Sequence, residues 1–154
     1  MPSVEIRETI RGRADQVYEL IKDMESYPQF MPSLNDVKVL ERGDNWTITA
    51  WDSTLNGMSF RWRERDEFDE QRNRIRYCQI EGDLKKFEGE WIVEQDGEQT
   101  RVTLTVDFEF GVPMLSALLN PVAKVKLRQN GEAMLQALKQ RFEGRSGPQT
   151  VRND

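Results

Sequence analysis

The sequence predicts an α+β fold: a curved, seven-stranded antiparallel sheet wrapped around one long C-terminal helix, with short helices between the first two strands. Three observations lead there. Residues 37–110 alternate apolar and polar side chains in six consecutive stretches closed by polar turns. An earlier alternating stretch, Val4 to Arg11, adds a seventh. The last long segment instead carries Ala123, Leu127, Gly131, Met134, Leu135, Leu138 and Phe142 on one stripe, at spacings of three and four. A helix from Pro121 to Phe142 would be roughly 33 Å long at about 1.5 Å per residue. No other helical stretch could cover its stripe, so a sheet must, and a one-faced antiparallel sheet needs such a cover.

In chain order, Val4, Ile6 and Ile10 alternate with charged neighbours until Gly12 breaks the strand. Asp15 supplies early negative charge for a short helix whose apolar face is Val17, Leu20, Ile21 and Met24. Tyr27-Pro28-Gln29-Phe30-Met31-Pro32 follows; its two prolines forbid a long helix, while its large apolar side chains ask for burial. The segment reads either as a turn covering the core or as a hydrophobic lip beside a cavity mouth. Val37–Arg42 and Trp46–Leu55 are strands, and Asn56-Gly57 is a strong signal for a two-residue hairpin into Met58–Asp69. Arg74–Glu81 pairs back across Gln71–Asn73, which would set Asp69 opposite Arg74 and Glu67 opposite Arg76 on the outer face. Two more strands run through Phe87–Val93 and Arg101–Phe110, joined at Asp96-Gly97. Gly111-Val112-Pro113 then swings the chain toward the helix, with Asn120-Pro121 read as a cap and a first-turn proline.

With 154 residues, the chain is expected to form a single domain over 1–143 followed by a disordered tail over 144–154. A net charge of −5 argues against a nucleic-acid partner. The lone Cys78 excludes an intrachain disulfide and fits a reducing compartment. No signal peptide or spanning segment is evident, so a cytoplasmic location is expected. The absence of histidine removes Ser-His-Asp and Cys-His catalysis and the usual zinc sites. No Walker or GxGxxG motif occurs either, and neither a cofactor nor a metal is expected.

Several motifs carry a resemblance. Arg13-Ala14-Asp15-Gln16-Val17-Tyr18 leads into the first helix, and Asp23 to Pro32 reads D-x-E-x-Y-P-x-F-x-P. Phe87-Glu88-Gly89-Glu90-Trp91 gives F-x-G-x-W, and Thr100-Arg101-Val102 opens the next strand. On these residues the chain resembles the START-like (SRPBCC, helix-grip) superfamily from Val4 to Phe142, in its polyketide cyclase/dehydrase and coenzyme Q-binding branch. The resemblance implies a helix-grip fold holding a hydrophobic small molecule between sheet and helix. It also implies three kinds of activity. Some members are aromatase/cyclases, some carry lipids or quinones without turnover, and one bacterial relative is ribosome-associated.

The inward parity of the strands assigns Met58, Phe60, Trp62, Tyr77, Trp91, Val106 and Phe108 to the cavity wall, with Leu119, Val122 and Met134 from the helix. Tyr27, Phe30 and Met31 join them if the proline-rich segment is a lip, and Trp51 can take either face. Asn130 offers an amide at the edge, while Gly131 beside it leaves room either for close packing or for a flat ligand. Glu64 and Asp66 continue the apolar parity of Trp62, where a carboxylate needs a partner or water. Asp66 is expected to have reached solvent. Glu64 can be solvated or turned inward, and in the second case Tyr77 and Gln79 are its natural hydrogen-bond partners. An inward Glu64, with Tyr77, could serve proton transfer in an enzyme or hold a ligand hydroxyl. The expectation is therefore a binding protein for a lipid, quinone or polyketide-like molecule. The alternatives are a cyclase or dehydrase in the same cavity and a ribosome- or protein-associated factor; a homodimer is left open. Arginines 61, 63, 65, 72, 74 and 76 have the outward parity and read as a salt-bridged face.

Overall fold

Strand boundaries follow the alternation closely. In the computed structural model the strands are β1 (Ser3–Arg11), β2 (Leu34–Arg42), β3 (Trp46–Leu55), β4 (Met58–Asp69), β5 (Arg74–Gly82), β6 (Lys86–Asp96) and β7 (Gln99–Glu109). Residues 2–55, 57–111 and 113–146 are described, with side chains at all of these except 55, 58, 113–118, 145 and 146. β3 and β4 pair from Leu55↔Met58 outward, and Gly57, at φ 76°, supplies the left-handed backbone such a turn requires; Asn56 lies outside the described residues. β4 and β5 place Asp69 opposite Arg74 and Glu67 opposite Arg76, as the charge pattern anticipated. The outer arginines are neutralised locally: Arg61 by Asp52, Arg63 by Glu81, Arg65 by Glu67, and Arg74 by Glu90.

The seven strands form one sheet in the order β1-β7-β6-β5-β4-β3-β2. Because β1 and β2 lie at opposite edges, the chain between them must cross the concave face. That crossing is made by α1 (Ala14–Lys22) and a 3₁₀ segment, Met24–Gln29. It explains why Val17, Tyr18, Ile21, Met24, Tyr27 and Met31 are all buried. Tyr27 and Met31 are 0% and 1% exposed, so the proline-rich segment closes the core rather than rimming an opening.

The second helix, α2 (Pro113–Ser146), is longer at both ends than the stripe indicated. Pro121 sits inside it and not in its first turn, a correction to the Asn-Pro cap. Good helix formers by sequence, Met114, Leu115 and Ala117 among them, precede the proline and carry the helix upstream. Pro121 still lacks an N–H, and the buried Oδ1 of Asn120 beside it has no hydrogen-bond partner. At the other end the helix continues through residues 144–146, and the rest of the expected tail lies outside the described residues.

α2 packs chiefly on β1. Gly131 is buried there, and a Cβ on it would come within 2.5 Å of Ile6 Cδ1. Close packing is thus the reason for the glycine, and no room for a ligand is left at that point. Lys139 Nζ donates to the Thr9 carbonyl at 2.6 Å and Arg128 to the Glu5 carbonyl at 3.1 Å, fixing the helix along the strand. Burial falls toward the N-terminal side. Leu135, Leu138 and Phe142 are buried, Ala123, Leu127 and Met134 are half-buried, and Leu119, Val122 and Val125 are exposed. Leu119 and Val122, expected on the cavity wall, are 37% and 57% exposed; at about 100° per residue Val122 falls on the side of the helix opposite the stripe and Leu119 at its edge. Among the described residues no helix is long and apolar enough to cross a membrane.

Candidate ligand-binding site

Part of the concave face is less deeply buried than the rest. Phe60, Trp62, Phe87 and Phe110 share the core side, as does Leu84 in the turn after β5, yet all are only half-buried. Trp62 meets Phe87 edge-on at 5.5 Å, and Phe108 meets Phe110 at 6.0 Å. These half-buried inward rings are the candidate lining of a ligand site. Tyr27 makes edge contacts with Phe30, Trp51 and Trp91, which pack the other end of the concave face. Of the expected Gly111–Pro113 hinge, Val112 lies outside the described residues.

Between the two ends stands a polar cluster. Glu64 and Asp66 both face inward and are 4% and 0% exposed. The solvated position expected for Asp66 is thus corrected: the sheet is long enough, and α1 lies close enough, to enclose the end of β4. Trp62 Nε1 donates to Glu64 Oε1 at 2.8 Å. Asp66 Oδ2 accepts from Thr49 Oγ1 at 2.6 Å and from Thr47 Oγ1 at 3.3 Å, and Trp51 Nε1 donates to Thr49 Oγ1 at 2.7 Å. Trp51 and Trp62 stack at 5.5 Å with their planes 9° apart. A parallel pair of indoles is thus tethered, by both N–H groups, to one pair of carboxyls.

Asp66 Oδ1 is buried with no donor facing it. Burial, then the negative charge of Asp66, pushes Glu64 well above the usual carboxylate range. Burial also raises Asp66, opposed by the hydrogen bonds from Glu64, Thr49 and Thr47. The two carboxyls differ in setting: Asp66 is held by the threonine hydroxyls and Glu64 by the Trp62 indole.

The partners expected for Glu64 are engaged elsewhere. Tyr77 OH donates to the Thr105 carbonyl at 2.7 Å, and Gln79 Nε2 to the Leu84 carbonyl at 2.6 Å. Tyr77 crosses β6 over Gly89, its register partner, where a Cβ would lie 1.9 Å from the Thr105 carbonyl and 2.7 Å from the Tyr77 hydroxyl. The glycine of F-x-G-x-W therefore exists to let that hydroxyl through. Burial drives the Tyr77 phenol well upward and does the same to Tyr27. Trp91 and Phe108 are enclosed in the core; Phe30 is half-buried beneath Arg141, whose guanidinium lies 5.1 Å from the ring centre. Asn130 Nδ2 approaches Met134 Sδ at 3.6 Å, and the side chain of Met58 lies outside the described residues. Trp51, which could take either face, points inward. Thr47 and Thr49 were missed. The β3–β4 hairpin puts Thr49 opposite Glu64 and Thr47 opposite Asp66, a register the Asn-Gly turn already implied.

A separate cleft of about 300 Å³ lies on the far side of the threonines, under α1 and the 3₁₀ segment, lined by Lys22, Glu25, Arg42, Trp46, Thr47 and Thr49 among others. Its charged walls differ from the inward aromatic rings. Among the described residues no three potential ligands converge on a metal position.

The curved seven-stranded sheet gripping one long C-terminal helix is the START-like architecture. Residues 10–135 match the family described as polyketide cyclase / dehydrase and lipid transport, and the chain belongs to that family. It is 27% identical over 125 residues to the ribosome association toxin RatA of Escherichia coli, covering 80% of this chain and 78% of that protein. Among solved structures, the protein TTHA0849 from Thermus thermophilus superposes with a TM-score of 0.89 at 30% identity, over 95% of this chain and 100% of that one. The ZhuI aromatase/cyclase of a Streptomyces species gives 0.86 at 25% identity, over 94% and 95%.

Proposed function

We propose that the chain is a cytoplasmic binding protein for a hydrophobic small molecule, a lipid, quinone or polyketide-like polycycle, held under the N-terminal half of α2. The observation that carries this reading is the set of half-buried inward aromatics, Trp62, Phe87 and Phe110, on the concave face. Burial at about 25 cal/mol per Å² supplies the affinity, and the tethered indole pair offers a flat wall to a planar guest. Family membership supports an apolar guest without fixing which one. The test is mass spectrometry of a solvent extract of the purified protein, joined to titration with a quinone, a fatty acid and a polyphenol. A defined extractable species, or saturable micromolar binding of one class, is expected. Protein that is empty and binds none of the three contradicts the reading.

A second reading rests on Glu64. A carboxyl that burial pushes upward, set beside the inward aromatic rings, can donate a proton to a bound poly-ketone, as a cyclase or dehydrase requires, and the resemblance to an aromatase/cyclase supports it. Tyr77 is less suited than expected, since its hydroxyl is committed to Thr105. Turnover of a poly-ketone that is lost in Glu64→Gln while binding persists would establish this chemistry. The similarity to RatA supports a third assignment, to the ribosome, which salt-sensitive co-sedimentation with ribosomal particles would reveal.

A further inference from the structure

We propose that the N-terminal half of α2 is a docking face for an anionic lipid surface. Leu119, Val122 and Val125 enter the apolar boundary of the bilayer, and the positive charge of Lys124, Lys126 and Arg128 meets its phosphates. The inference goes beyond the ligand reading and does not depend on it.

Among the described residues five large hydrophobic side chains are exposed, and three of them lie within about two turns of this helix. Leu119, Val122 and Val125 are 37%, 57% and 54% exposed. Apolar residues scattered singly over a surface are ordinary, but three on one side of one helix form a patch. At about 100° per residue they sweep an arc of roughly 120°, from the edge of the sheet-facing stripe around to its far side. By sequence the same spacing continues upstream through Leu115 and Leu118, whose side chains lie outside the described residues. Gly131, Leu135, Leu138 and Phe142 are buried and mark the side that meets the sheet, so the arc points away from the rest of the described chain.

Charge selects the partner. Between Glu109 and Glu132 there is no acidic residue, whereas Lys124, Lys126 and Arg128 all fall there. In a chain of net charge −5 this is a segregated positive stretch. Among the described residues no carboxylate pairs with any of the three, and Arg128 donates instead to the Glu5 carbonyl. The acids on the strands packed against α2 are engaged or turned outward. Glu5 pairs with Arg7, Glu8 with Lys139 and Glu109 with Lys85, and Asp107 has the outer parity of β7. Lys126 falls inside the arc, between Leu119 and Val122 in angle. Lys124 and Arg128 leave the helix on its other side. A helix is only about 10 Å across, close to one Debye length at about 0.1 M salt, so their field still reaches a surface touched by the arc. An apolar arc with cations and no acids fits a bilayer carrying phosphates, which offers hydrocarbon and negative charge together. A second copy would instead bring the same three cations against themselves.

The test is co-sedimentation of the full chain with vesicles of phosphatidylcholine alone and of an equal mixture with phosphatidylglycerol, at low and high salt. The wild type is expected to bind the mixed vesicles about tenfold or more tighter than the neutral ones, and high salt should remove the difference. Lys124→Gln combined with Lys126→Gln should remove it as well. Val122→Ser combined with Val125→Ser should weaken binding to the mixed vesicles about tenfold, by withdrawing the apolar contact. Ile80→Ser, which trims an exposed apolar side chain on β5, should change nothing. All the substituted side chains are exposed, and unchanged unfolding midpoints establish that the variants are folded. No binding to mixed vesicles, equal binding to both compositions, or binding that survives the valine substitutions overturns the proposal. A dimer that the valine substitutions dissolve, without vesicle binding, would assign the face to a second copy and overturn it too. The ligand reading is tested separately, by extraction and titration, and either can fail without the other.

Discussion

At the scale of single residues, the molecule's least ordinary feature is a pair of carboxyls two positions apart on β4, both shut from water. Glu64 stays protonated in the folded chain at pH values where, in the unfolded chain, it ionises near its ordinary value of 4.5. The native state thus binds the extra proton, and stability from this group is complete below pH 4.5 and is lost as pH rises through the higher native value. Urea unfolding should therefore show the wild-type advantage over Glu64→Gln to be greatest in mild acid and to shrink toward alkaline pH. An advantage that grows with pH would mean that Glu64 is ionised in the fold. Gly89 makes a second prediction. A methyl group there meets the backbone carbonyl of Thr105, which cannot step aside, so Gly89→Ala should cost about 1–3 kcal/mol in thermal or urea unfolding. Tyr77→Phe, which removes only the hydroxyl at that crossing, should cost about 1 kcal/mol.

At the scale of elements, alternation and turn chemistry made the sheet legible. The Asn-Gly signal fixed both ends of the β3–β4 hairpin, and the charge alternation placed Asp69 opposite Arg74 and Glu67 opposite Arg76, although Arg74 makes its ion pair with Glu90 and Glu67 with Arg65. Two things were not legible for physical reasons. Asn-Pro is a good helix start in isolation, but a long helix already anchored on β1 absorbs one proline, so the local signal lost to tertiary packing. The fate of Asp66 depended on how far α1 reaches over the concave face, which no period in β4 encodes. The stripe on α2 was read correctly as a buried face, and Gly131 marks its tightest point. Gly131→Ala should be near neutral, because the helix gain of about 1 kcal/mol is offset by displacing Ile6 Cδ1. In an Ile6→Val background, where that methyl is gone, the same substitution should stabilise by up to about 1 kcal/mol. A double-mutant cycle of unfolding midpoints reads the coupling, and strict additivity would contradict the packing described.

At the scale of the whole molecule, a sheet wrapped across a crossing helix fills one end of its concave face with Tyr27, Trp51 and Trp91, and leaves Trp62, Phe87 and Phe110 half-buried at the other. The fold thus has a rigid half and a receptive half, with the carboxyl pair and its indoles at the seam. The inward aromatic parity made the general position of the candidate site readable. Its boundary on α2 was drawn too wide: Val122 falls on the side of the helix opposite the stripe and Leu119 at its edge, and both are exposed. The most direct measurement is a titration of isotope-labelled protein with a short-chain quinone, a fatty acid and a polyphenol, followed by amide, indole and methyl chemical shifts. The account predicts saturable shifts with at least one of them at the Trp62 indole, Leu84, Phe87 and Phe110, with Tyr27 and the buried end of α2 unmoved. Saturating concentrations of all three that leave the Trp62, Phe87 and Phe110 signals in place would contradict it.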